Sequence, residues 1–82
     1  MIPRIKSIEP RADFTLLVDF DGGRRVVYDV ADDIRDIEAF RELKTLPGLF
    51  VNARLDSSRT CVVWYERVDL PSDTIYEYGV SV

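Results

Sequence analysis

The chain has 82 residues, 46% of them hydrophobic and 32% charged, and a formal net charge of −4. A chain this short has one thin core, which excludes a large enclosed substrate cavity, and its apolar content excludes intrinsic disorder. The acid excess opposes non-specific nucleic-acid binding, which depends on neutralising phosphates, and no stretch approaches the length of a membrane-spanning helix.

Arg4 to Ile8 reads as a first strand, with Pro3 at its entrance and Pro10 at its end, where a missing N–H does least harm. Phe14, Leu16, Val18 and Phe20 alternate with Thr15, Leu17 and Asp19, the period-2 signature of a half-buried strand. Asp21-Gly22-Gly23 supplies the positive φ of a tight hairpin turn and leads into a third strand, Arg24 to Val30, with Val26, Tyr28 and Val30 on one face.

A helical stretch follows, with Asp32 or Asp33 as its cap. Ile34, Ile37, Phe40, Leu43 and Leu46 recur every three residues, a stripe that a straight α-helix would carry around its circumference. The spacing therefore predicts a short turn and then a helix from about Asp36 to Lys44, stopped by Pro47-Gly48. Leu49 to Leu55 reads as a strand with Leu49, Val51, Ala53 and Leu55 on one face. Asp56 to Arg59 forms a turn, and Thr60 to Tyr65 returns with Cys61 and Val63 facing one way and Val62 and Trp64 the other. Leu70-Pro71-Ser72-Asp73 reads as a cap entering a helical turn at Thr74-Ile75-Tyr76. The fold class is α+β. A small, mostly antiparallel sheet of about five strands is expected, two hairpins plus an N-terminal strand, with one central helix and a short C-terminal helical turn.

Chemistry is sparse. The chain has no histidine, which removes the commonest general base and neutral metal ligand, so no catalytic residue, cofactor or metal site is assigned and a non-enzyme is expected. Cys61 is the only cysteine and reads as a small hydrophobe in a strand. Asp29, Asp32, Asp33 and Asp36 lack the spacing of a calcium loop and are read first as a helix start, with a small-ligand or metal binder as the last alternative. Residues before Tyr28 include five basic and four acidic side chains, those after it six and eleven. A basic strip is therefore placed at Arg4, Lys6, Arg24 and Arg25, read first as solvated strand faces and second as a nucleic-acid contact. Trp64, Tyr65, Arg67 and Tyr78 are the other candidate interaction residues. For Trp64 the preferred reading is packing under the C-terminal turn, covered by Ile75 or Tyr76. Leu17, Val27 and Val62 lie opposite the main apolar faces of their strands, which predicts a partly apolar sheet face and association through it. Residues 1–4 hold no apolar leader segment, and the expected setting is cytoplasmic.

Several runs carry a resemblance along almost the whole chain: Pro3 to Ile8, Leu16 to Gly23, Tyr28-Asp29-Val30, Phe40 to Lys44, Phe50, Arg54-Leu55-Asp56, Val63-Trp64 and Asp69 to Tyr76. Together they resemble the small bacterial family catalogued as domain of unknown function 2442. The resemblance implies a small α+β domain, found alone or joined to a helix-turn-helix segment. No such segment is expected in this chain, which reads to Val82. The resemblance also implies genes that neighbour a second small family of unknown function, 4160, in pairs like toxin–antitoxin modules. The implied partner is thus another protein, as a second copy or a neighbouring gene product. The chain departs from the family after Trp64, where members run Pro, then Asn or Asp with Gly; here Tyr65-Glu66-Arg67-Val68 stands. The family brings no catalytic residues to carry over.

Overall fold

Alternating side chains organise the first half of the molecule. The computed structural model describes residues 2–65 and 68–82. Strand β1 is Ile5–Pro10, β2 Thr15–Phe20 and β3 Arg25–Asp29. β1 and β2 run antiparallel with Ile8 opposite Val18, and β2 and β3 with Val18 opposite Val26 and Leu16 opposite Tyr28. Because successive side chains point to opposite faces, this register gathers Leu16, Val18, Phe20, Val26 and Tyr28 on one face, where all are buried. The hairpin turn forms where Asp21-Gly22-Gly23 places it. Gly23 takes a φ of 95° and donates its N–H to the Phe20 carbonyl.

The helical segment differs from the expected single helix. Helix α1 comes first, at Ala31–Asp36, followed by extended Ile37, a 3-10 turn at Glu38–Phe40 and a short α2 at Glu42–Thr45. A strict three-residue repeat drifts around a 3.6-residue helix, so one unbroken helix would bury some of the stripe and expose the rest. The break at Ile37 re-aims the chain. Ile34, Phe40 and Leu43 are buried, while Ile37 and Leu46 remain 43% and 48% exposed. The expected Asp32 or Asp33 cap is not made. The Asp29 carboxylate instead accepts the Ala31 N–H at 2.9 Å, and Asp33 accepts the Tyr28 hydroxyl at 2.6 Å.

The expected strand from Leu49 to Leu55 is also corrected. Phe50–Asn52 is a 3-10 turn, and only Arg54–Leu55 forms strand β4. Phe50 is buried, and Val51 is 56% exposed. Aromatic packing decides this: the Phe50 ring stacks on Trp64 at 5.7 Å and meets Phe14 edge-on at 5.3 Å.

β5, Cys61–Tyr65, pairs with β4 and with β6, Val68–Pro71. Helix α3 spans Ser72–Tyr78, and β7, Val80–Ser81, pairs with β3. The expected five-strand sheet is therefore two antiparallel sheets, four strands ordered β1-β2-β3-β7 and three ordered β4-β5-β6. The α+β class stands. At the start of α3, Ser72 does not cap the helix; its hydroxyl donates to the Pro3 carbonyl at 2.6 Å, tying the two ends of the chain together. Val62 is fully buried opposite Leu70, on the same face as Trp64, so it does not belong to an open face as expected. One core is shared by both sheets, with Ile5, Leu16 and Val26 of the first meeting Val62, Trp64 and Leu70 of the second.

Candidate functional site

The pleat that buries one face of the four-stranded sheet leaves the other open. Its register sets Glu9, Leu17, Val27 and Val80 in one row across all four strands, and Ser7, Asp19 and Arg25 in the next. Leu17 and Val27 are half-buried, whereas their strand neighbours on the inner face are buried, and Val80 is 69% exposed. In the polar row, Arg25 Nε donates to Asp19 at 2.7 Å and the Ser7 hydroxyl donates to the same carboxylate at 3.2 Å. The Arg25 bond, followed by that from Ser7 and the field of Arg25 and Lys6, holds the Asp19 carboxyl below its ordinary pKa. The face is therefore an apolar strip beside a self-neutralised polar one.

At the hairpin end lies an open groove of about 1160 Å³. Arg4, Phe20, Asp21, Arg24, Asp73, Tyr76 and Glu77 are among the residues lining it. The Arg24 guanidinium sits 4.2 Å from the centre of the Tyr76 ring, and its Nε donates to the Ser81 hydroxyl at 3.2 Å. Tyr76 in turn meets Phe20 edge-on at 5.0 Å. Asp21 is bound by Arg59 at 2.8 Å. Arg24 thus joins α3 and β7 to the hairpin, and the two arginines of the groove face three acids, Asp21, Asp73 and Glu77.

The structure divides the expected basic strip. Arg4 and Arg24 meet at the groove, while Arg25 belongs to the open face with Lys6 near the same Asp19. Trp64 is not a surface residue: it is 6% exposed and its indole N–H donates to the Phe50 carbonyl at 2.9 Å. Phe40 and Phe50 pack against its ring, while α3 packs its Tyr76 on Phe20 and buries Ile75 in the same core as Trp64. Arg67 and the Tyr65 side chain lie outside the described residues, as does the turn at which the chain departs from the family pattern. Tyr78 is 71% exposed. Sequence reading missed Val80, although Tyr78, Val80 and Val82 alternate and a strand after Gly79 was the available signal.

The acidic residues around α1 serve the helix. Arg35 binds Asp32 and Asp36, both at 3.1 Å, and Tyr28 is pushed above the ordinary phenol pKa by burial and then by its bond to Asp33. Among the described residues no three His, Cys, Asp or Glu side chains converge as metal ligands. Burial pushes the Cys61 thiol up, which keeps it protonated at neutral pH. No helix among the described residues is long and apolar enough to cross a membrane.

A family model described as "Protein of unknown function (DUF2442)" matches residues 5–81. No curated protein and no solved structure gives a significant match.

Proposed function

The chain belongs to the DUF2442 family, and we propose that within it this protein is a non-enzymatic protein-interaction domain whose partner packs on the open face of the four-stranded sheet. The row Leu17, Val27 and Val80 carries the reading: three apolar side chains adjoin across three strands, Leu17 and Val27 partly exposed and Val80 69% exposed. Contiguous apolar surface of this kind favours association, and the Asp19–Arg25 row beside it supplies a polar rim. Lack of histidine and a protonated lone thiol support a non-catalytic role. The partner we assign is the product of a neighbouring gene in a bacterial two-gene, toxin–antitoxin-like module, as the family resemblance implies.

Co-expression with the adjacent gene's product tests this. The two proteins should co-purify, and the double variant Val27→Lys with Val80→Asp should release the partner without lowering the melting temperature by more than a few degrees. No co-purification, or capture unchanged by the double variant, would contradict the reading. Binding to nucleic acid through Arg4, Lys6, Arg24 and Arg25 draws no such support. Two of these cations are engaged by Asp19 and Tyr76, and the four are split between two surfaces.

A further inference from the structure

A second surface lies where the β1–β2 turn meets the loop after α2. Phe14, Leu43 and Phe50 line a recess of about 200 Å³ there. Phe14 takes a φ of 65°, a left-handed conformation costly for a bulky side chain. It is held by the Val30 N–H bond to its carbonyl and by the edge-on contact with Phe50. The volume is below that of a drug-sized pocket and suits one apolar side chain. Leu46 and Val51 stand at the rim, 48% and 56% exposed, each too open to be explained by core packing.

The charges that line this recess are of one sign. Arg11 and Lys44 line it, and no acidic residue does so among the described residues. Glu9 approaches Arg11 at 3.5 Å, but both side chains are about half in water, so the pairing is weak and exchangeable. Two cations beside an apolar recess stand out on a chain with a net charge of −4. We propose that this recess binds an acidic segment of a partner protein, which inserts one phenylalanine or leucine side chain between Arg11 and Lys44. Apolar anchoring supplies affinity, and the cations select acidic flanks and speed encounter. The site does not depend on the sheet-face reading, because no residue is shared between the two surfaces.

Fluorescence anisotropy with a panel of labelled short peptides tests the proposal. Each peptide carries one Phe, Leu or Trp between glutamates; controls replace the anchor with Ala or the glutamates with Lys. At least one acidic peptide should saturate with Kd below about 1 mM and weaken as salt rises. Lys44→Glu should weaken it on the order of tenfold, and Val51→Asp should do likewise; both positions are exposed, and unchanged thermal melts would show the variants folded. Absence of saturation across the panel, equal binding of the lysine-flanked peptides, or unchanged binding by both variants would overturn it. Self-association lost in Val51→Asp, without peptide binding, would assign the recess to a second copy and also overturn it.

Discussion

Trp64 sits where the two sheets and the helical segment meet, with Phe40 at 6.1 Å and Phe50 at 5.7 Å. Its indole N–H is the donor for the Phe50 carbonyl. Trp64→Phe removes that donor, leaves the Phe50 carbonyl only the longer 3.3 Å bond from the Ala53 N–H, and opens a small void, so a loss of about 2 kcal/mol is expected. Urea unfolding should show a lower midpoint with an unchanged m-value, and Tm should fall by about 10 °C. Asp56 gives the residue-scale pH prediction. Its carboxylate accepts the Ser58 hydroxyl at 2.7 Å and the Thr60 and Cys61 N–H groups at 3.0 and 3.1 Å. The Ser58 bond is the main cause of its lowered pKa. A lowered folded-state pKa contributes stability above the unfolded value near pH 4, and that contribution is lost as pH falls through the folded value. Stability should therefore be flat between about pH 5.5 and 7.5, where no side chain of this histidine-free chain ordinarily titrates, and fall on the acid side. Asp56→Asn should make the acid limb shallower. Packing of Trp64 was the preferred reading of a large apolar ring, but its neighbours were not legible. Phe40 and Phe50 reach it through backbone turns that hydrophobic period does not encode.

At the scale of elements, legibility followed length. β2, β3 and their glycine turn were readable because six and five residues of alternation leave one register that buries the apolar set. β4 and β7, of two residues each, carry no period of their own; pairing with longer neighbours defines them. The α3-to-β7 connection depends on close approach at Gly79. A Cβ there would lie 2.6 Å from the Ile75 carbonyl and 3.0 Å from Val26 side-chain atoms. Gly79→Ala should thus push β7 off β3, at a cost of about 2 kcal/mol. Amide exchange would report it directly: the Val82 N–H, bound to the Arg25 carbonyl, should lose protection before the β2–β3 ladder does. Equal protection in both proteins would show that the connection tolerates the methyl group.

The molecule as a whole has a radius of gyration of 11.7 Å, that of a compact folded chain of its length. Its open face is thus a feature of tight folding rather than of a loosened sheet. Strands of six, six, five and two residues, at roughly 3.3 Å per residue and roughly 4.8 Å spacing, make a face of about 300 Å². That is under half of the roughly 800 Å² each partner contributes to a standard stable interface, so the contact should extend past the sheet edge or exchange rapidly. Part of this surface was legible: Leu17 and Val27 fall on the minor face of their strands whichever way the sheet is completed. Val62 was misassigned because the second sheet packs its Val62 and Trp64 face inward, a choice made by tertiary packing. The most direct measurement is a methyl NMR titration of the chain with the neighbouring gene's product. Shifts concentrated on Leu17, Val27 and Val80, with Val18, Val26 and Val62 unmoved, are expected. No shifts, or shifts that spare the Leu17–Val27–Val80 row, would contradict the account.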